Sequence, residues 1–465
     1  MSNSLSALDA SFLELEQLDE GALMAIGGTM VFDPPPGARA PTIDELREIL
    51  VARLDALPRY SQRLSSARTG SLSWPHWEDD ERFDIANHVR RVSLPAPGDE
   101  AQLCSWTAEL FSHPLDRRRP LWEIALIEGL EGGRWGLGWK THHCLVDGMG
   151  SVDVVNLLLD SEREPSERLT DTSKNGSSAL HAPEPIAQAA HRGVNAATST
   201  IHATLHPRQT LARSRALAEL IVRDELIAAP PTSLNLAIGQ GRRFAVVRSS
   251  VSELKAIGSR FDGSLNDAAL AACTSGLRRL LASRGEELPD GGLRAMVPVN
   301  LRDASREETL GNRVSSLFVE LPVGVPDPEQ RAHQIVRSTH HLKNSGAAEG
   351  PAVLIDLAAL SPPAAVHLAL ARTTLTTRLF NLTITNVRGS DRPLYAFGAP
   401  MRELYPVVPL AAEHAVGIAI FSYNGLVTFG INADCESVAD IEVLALGIEE
   451  GLEELRALSE PPIKK

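Results

Sequence analysis

Cysteine is scarce in this chain and never paired in sequence. Cys104, Cys144, Cys273 and Cys435 stand far apart and form no CxxC, so a disulfide framework or a zinc knuckle is not expected and a reducing cytoplasm is the default setting. Basic charge is also short: 45 Lys and Arg against 59 Asp and Glu leave a net charge of −14, which disfavours nucleic acid as the main partner. No apolar run approaches the roughly 18 residues of a membrane-spanning helix. The opening Met1-Ser2-Asn3-Ser4-Leu5 lacks a basic region ahead of an apolar core, so no signal peptide is expected. Any contact with a membrane is therefore expected from its surface. The GxSxG nucleophile elbow, the GxxxxGK[ST] phosphate loop and the GxGxxG dinucleotide fingerprint are all missing.

What is present fits a soluble globular protein, with 43% hydrophobic and 22% charged residues. At 465 residues the chain is too long for one ordinary core, so two domains are expected. Residues 1–160 read as the first and 229–465 as the second, with 161–228 as the connection. Ser161 to Pro185 is rich in Ser, Glu, Pro and Asn, as linkers are. From Pro185 to Ala218 there is no acidic residue, while Arg192, Arg208, Arg213 and Arg215 are all basic. Strands and helices are mixed in both halves, which predicts an α/β or α+β class in two layers. Thr42 and Glu45 form a capping-box pattern ahead of a helix carrying Leu46, Ile49, Leu50, Leu54 and Leu57 on one face. Asn424-Gly425, between two apolar runs, is the strongest hairpin signal.

The chain is organised around Lys140-Thr141-His142-His143-Cys144-Leu145-Val146-Asp147-Gly148-Met149-Gly150. The preceding Arg134 to Trp139 reads as a strand, with Trp135, Leu137, Trp139 and Thr141 on one face. If the strand continues, His142 and His143 point to opposite faces, and only one of them can face a given cleft. Gly148 and Gly150 then break the strand. A histidine at a strand end, with a carboxylate four residues on in a glycine turn, is well placed to act as a general base. Asp147 need not touch the imidazole; paired with an arginine it would anchor the loop. A metal site made of His142, His143 and Asp147 is disfavoured, because adjacent strand side chains diverge. Cys144 reads as a small buried hydrophobe rather than a nucleophile. Asn266-Asp267, ahead of a helix, fits a cap, but an Asn amide there can also donate to an oxyanion.

His142-His143-Cys144-Leu145-Val146-Asp147-Gly148 matches HHxxxDG, and the chain resembles the bacterial wax ester synthase/acyl-CoA:diacylglycerol acyltransferase family. Other blocks fall in the same order. These are Leu8 to Leu13, Leu115-Asp116-Arg117 with Pro120-Leu121-Trp122, Leu234-Asn235 with Arg242-Arg243-Phe244, and Ser264 to Asp267. Pro298 to Arg302 and Thr385 to Gly389 follow. HHxxxDG alone is shared with other acyltransferases and condensation enzymes; the ordered set is far more specific. Met149-Gly150 and the acid-free 185–218 stretch depart from the family pattern.

The resemblance implies two chloramphenicol-acetyltransferase-like domains, each a mixed sheet with flanking helices, and an active-site tunnel between them. It implies transfer of a long-chain acyl group from acyl-CoA, a substrate rather than a cofactor, to diacylglycerol or a fatty alcohol. No metal or other cofactor is expected. His143 becomes the general base, His142 a supporting neighbour, and Asn266 the oxyanion donor. Asp147, Gly148 and Arg302 become structural, with Arg302 the expected partner of Asp147. A cytoplasmic location at a membrane or lipid-droplet surface follows; by its own charge, not by the resemblance, 185–218 is the candidate contact, the alternative being a flexible connection between domains. The alternatives are acyl transfer to a specialised lipid or polyketide hydroxyl, and a non-catalytic relative that binds acyl-CoA or lipid droplets.

Overall fold

The fold is anchored by a strand that no water reaches. All eight residues of the strand Trp135–His142 are buried. The computed structural model describes residues 5, 7–34, 39–54, 57–65, 75–145, 158–163, 229–300, 314–344 and 379–459. In chain order the first elements are α1 (Ala7–Leu18), β1 (Ala25–Phe32), α2 (Ile43–Leu54), β2 (Gln62–Leu64), β3 (Trp77–Asp79) and β4 (Val89–Ser93). Then come α3 (Glu100–Phe111), β5 (Trp122–Glu128) and β6, the buried strand Trp135–His142. After residue 228 follow β7 (Arg242–Ser250), α4 (Val251–Arg260), α5 (Leu265–Ser283), β8 (Leu293–Asn300), β9 (Val314–Leu321) and α6 (Pro328–Asn344). The chain closes with β10 (Leu382–Arg388), β11 (Tyr395–Ala396), β12 (Ala399–Val407), β13 (Val416–Tyr423), β14 (Leu426–Asp434) and α7 (Ile441–Ser459).

The strands form two six-stranded sheets, ordered β11-β12-β1-β6-β5-β4 and β7-β14-β13-β10-β8-β9, with β2-β3 as a separate pair. Each sheet mixes parallel and antiparallel neighbours, such as parallel β4-β5 and antiparallel β5-β6 in the first. Mixed sheets flanked by helices are the architecture expected from the sequence. Chain segment and sheet do not coincide throughout: β11 and β12 come from residues 395–407 yet belong to the first sheet, where β12 pairs with β1. The chain then returns to the second sheet as β13 and β14, joined at Asn424-Gly425, where both residues have positive φ (46° and 84°). Those dihedrals are what a two-residue hairpin turn demands of Asn-Gly.

Packing fixes β6 from both sides. One face of the strand is cut back to Gly136 and Gly138, and a Cβ on Gly138 would lie 2.3 Å from the Trp106 ring of α3. The helix therefore seats directly on the sheet. The buried Lys140, on the same face, donates from Nζ to the carbonyls of Leu110 (2.9 Å) and His113 (3.0 Å), capping the end of α3. Burial pushes the Lys140 ammonium below its ordinary value, and Glu123 at 3.7 Å pulls the other way. On the first strand, Thr29 and Thr107 join sheet to α3 through their hydroxyls at 2.9 Å. Phe32 stacks on Trp135, its partner in register, at 4.3 Å between centroids.

The second sheet carries α5 and α7 against each other. They meet at glycines: a Cβ on Gly276 would lie 2.5 Å from Ile448 and 2.8 Å from the Leu444 carbonyl. Polar ties join the two sheets. Arg248 of β7 donates from Nε to Glu403 of β12 at 2.7 Å and reaches Tyr405 at 2.8 Å and Glu100 of α3. Arg242 donates its backbone N–H to Ser112 (2.9 Å) and its guanidinium to the carbonyls of Gly21 and Gly239.

Candidate active site

The first group of site residues is built by α1. Phe12 and Glu16 lie one helical turn apart and so share a face. Phe12 stacks on the His143 ring with centroids 3.9 Å apart and planes at 26°. Glu16 Oε2 lies 3.4 Å from His142 Nε2 and accepts from Arg117 at 2.9 Å, while its Oε1 accepts the Met24 backbone N–H at 2.7 Å. One helix face therefore holds both histidines. Burial alone would raise the Glu16 carboxyl, but His142 and Arg117 outweigh it and hold it at about 2.

The two histidines are held differently. The strand ends at His142, and His143 opens a short 3-10 turn, His143–Leu145, so strand alternation does not govern the second ring. His142 is fully buried. Its Nδ1 accepts the Cys144 backbone N–H at 3.1 Å, which places a ring proton on Nε2, 3.4 Å from Glu16. His142 thus has Nδ1 hydrogen-bonded, while Nε2 lies close to the Glu16 carboxylate without a hydrogen bond among the described residues. His143 donates its backbone N–H to the Met24 carbonyl at 2.8 Å, while its ring Nδ1 is buried with no hydrogen-bond partner among the described residues. Burial, with repulsion from His142, pushes the His143 imidazole down to about 4. At neutral pH that ring is unprotonated and able to take a proton.

The motifs that lie apart in sequence meet here. His142 donates its backbone N–H to the Leu121 carbonyl at 3.0 Å, and Trp122 fixes β5 by donating from Nε1 to the Tyr60 carbonyl at 2.7 Å. Arg117 bridges Glu16 and the Leu13 carbonyl, the latter at 3.0 Å. Cys144 is buried, and burial pushes its thiol well above the usual range, as suits a packing residue. Glu16 and Arg117 were not singled out from sequence as site residues. The available signal was the spacing of Glu16 from Phe12, one helical turn on and just past the Leu8 to Leu13 block.

The second group lies at the start of α5. Ser264 is the N-cap, and Asp267 completes the box: its Oδ2 accepts the Ser264 N–H and hydroxyl, each at 2.7 Å. Asp267 Oδ1 accepts the Thr339 hydroxyl of α6 at 2.7 Å. Capping is thus done by Ser264 and Asp267, not by Asn266. The Asn266 amide instead has its Oδ1 accepting from Asn386 Nδ2 of β10 at 3.1 Å. Asn235 is structural, donating to the Glu413 carbonyl at 3.2 Å and accepting from Asn381 at 2.7 Å.

Among the described residues no hydrogen bond joins the histidine group to the Asn266 group. Both lie along one run of neighbouring strands. His142 pairs with Ala25 of β1, Gly27 of β1 with Val407 of β12, and a Cβ on Gly417 of β13 would lie 2.8 Å from Val408. Gly417 pairs in turn with Thr383 of β10, three residues before Asn386. Asp147, Gly148 and Arg302, with the expected Asp147–Arg302 pair, lie outside the described residues, as does 185–218. Among the described residues no three His, Cys, Asp or Glu side chains are grouped to hold a metal ion. No helix among them is long and apolar enough to cross a membrane.

Residues 5–269 match the wax ester synthase/diacylglycerol acyltransferase catalytic domain, and residues 310–456 match the WS/DGAT C-terminal domain. A protein of Mycobacterium tuberculosis named as a probable diacylglycerol O-acyltransferase is 33% identical, over 98% of this chain and 96% of its own. The wax ester synthase/diacylglycerol acyltransferase of Marinobacter aquaeolei superposes with a TM-score of 0.71 at 27% identity, over 99% of this chain and all of that one. The first condensation domain of the calcium-dependent antibiotic synthetase shares the fold, with a TM-score of 0.60 at 15% identity. The chain is an acyltransferase of the wax ester synthase/diacylglycerol acyltransferase family.

Proposed function

We propose that this acyltransferase moves a long-chain acyl group from acyl-CoA to the hydroxyl of diacylglycerol or of a long-chain fatty alcohol, with His143 as general base. The observation that carries the assignment of the base is the contrast between the two rings. His142 is directed at Glu16 and the Cys144 backbone. His143 is clamped by Phe12 and Met24, yet its imidazole is held neutral.

The chemistry follows in order. His143 takes the proton of the acceptor hydroxyl as the oxygen attacks the thioester carbon. The carbonyl oxygen becomes an oxyanion and accepts a hydrogen bond from the Asn266 amide, with the N-terminal turn of α5 adding favourable dipole. The tetrahedral intermediate then collapses, the C–S bond breaks, and the CoA thiolate takes the proton back from His143. No side chain is acylated, so both substrates must be bound at once, and proximity supplies much of the rate. Asp147 and Arg302 belong to this reading as the pair that anchors the loop after the histidines. Asp267 serves the reading indirectly, by fixing the helix start on which Asn266 sits.

The acceptors are insoluble, so the enzyme is proposed to work at a membrane or lipid-droplet surface, with the acid-free, arginine-bearing 185–218 stretch as the contact. The test of the reaction is acceptor-dependent release of CoA thiol from palmitoyl-CoA, with dioleoylglycerol, hexadecanol and a panel of other hydroxyl compounds. Release with neither dioleoylglycerol nor hexadecanol, but with another hydroxyl, would move the assignment to a specialised acceptor. No CoA release with any acceptor would leave a binding protein.

A further inference from the structure

We propose that Asn386 is a positioning residue that holds the Asn266 amide with its NH2 group free to donate. The inference rests on the reading of Asn266 as oxyanion donor. A side-chain amide carries one acceptor oxygen and one donor nitrogen, related by rotation about a broad, nearly two-fold terminal torsion. Only one orientation stabilises an oxyanion; the other presents a lone pair to it. Something must therefore select between them.

Asn386 does so. Asn386 Nδ2 donates to Asn266 Oδ1 at 3.1 Å, which commits the oxygen and leaves the NH2 group as the open side. Both residues stand on fixed backbone. Asn386 lies inside β10, paired with Ile420 in the parallel ladder to β13. Asn266 lies in the first turn of a 19-residue helix whose start is pinned by Ser264, Asp267 and Thr339. The capping bonds use Ser264 and Asp267 and leave the Asn266 amide out. With both backbones held, the amide torsion is the freedom left, and Asn386 is the group that sets it.

Two substitutions separate this role from simple packing. In N386D the side chain keeps its shape but can only accept, so it captures the Asn266 NH2 group and withdraws the oxyanion donor. In N386A the amide is released to rotate. Removing an oxyanion donor costs about 10²–10³ in kcat, the loss expected of N266A. N386D is expected to approach that loss, at least about tenfold worse than N386A, with KM for acyl-CoA unchanged. The double variant N266A/N386D is expected to be no slower than N266A, because the group being oriented is already gone.

A packing role predicts the opposite order, with the isosteric N386D milder than N386A, and that result overturns the proposal. Losses that multiply in the double variant overturn it as well. If N266A keeps full kcat, the oxyanion reading itself falls, a different result from N266A failing while N386D does not. Thermal unfolding checks each variant. Should N386D not fold, the N266A/N386A cycle decides: non-additive loss supports the positioning role and additive loss refutes it.

Discussion

Replacing Glu16 by Gln should remove a pH-dependent part of the stability that ties α1 to the histidines. The Glu16 carboxyl goes from an ordinary 4.5 to about 2 in the fold, because His142 and Arg117 overcome the cost of burying it. A depressed carboxyl contributes stability that is present above its unfolded pKa and is lost as pH falls toward its folded one. That gap, at about 1.36 kcal/mol per pH unit, contributes roughly 3 kcal/mol at pH 7. By pH 3.5 the unfolded carboxyl is mostly protonated while the folded one is not, and the contribution falls to about 2 kcal/mol. Gln still accepts from Met24 and Arg117, so the pH-independent part of the change cancels between the two conditions. Urea denaturation of wild type and E16Q at pH 7 and pH 3.5 should show the stability gap narrowing by roughly 1 kcal/mol. A gap that does not change with pH would mean that Glu16 is not held ionised by the histidine cluster, and the account of how α1 positions His142 would fail.

Two further outcomes follow. The kcat/KM profile should stay flat from neutral pH down to about 4 and fall below it, since His143 is neutral above that value. An acid limb near the ordinary imidazole value of about 6.5 would show that burial does not hold the base neutral. Reversing Arg208, Arg213 and Arg215 to Glu should weaken flotation with anionic liposomes and leave turnover of detergent-solubilised substrate intact. Each lost basic residue is worth about 1 kcal/mol at such a surface, so unchanged flotation would leave the 185–218 stretch as a plain connection.

The parts legible in the sequence were those set by local rules. β6 shows its alternation, the helix Ile43–Leu54 shows its Thr42/Glu45 box, and Asn424-Gly425 shows its hairpin. β12 was not legible. It carries Pro400 and Pro406, which argue against a strand, and its partner β1 lies more than three hundred residues earlier. The first half of β1 was hidden by Gly27 and Gly28, there because the backbone approaches closely: a Cβ on Gly27 would lie 2.1 Å from the Trp139 carbonyl oxygen. The site divides in the same way. The histidine pair announces itself by position, whereas Glu16 and Arg117 gain meaning only from contacts that span about a hundred residues. Asn266 was ambiguous between cap and donor. Ser264 and Asp267, at the i and i+3 spacing of a capping box, take the capping bonds and leave the Asn266 amide out.

His142 and His143 divide the labour in this reading, and one comparison tests that division directly. CoA release from palmitoyl-CoA with dioleoylglycerol is measured for H143A and H142A, together with the Kd of each variant for acyl-CoA. H143A should lose at least about 10²-fold in kcat, the lower end of what a general base contributes, while still binding acyl-CoA. H142A should lose less. If H143A keeps more than about a tenth of the wild-type kcat, or H142A loses more than H143A, then His143 is not the base.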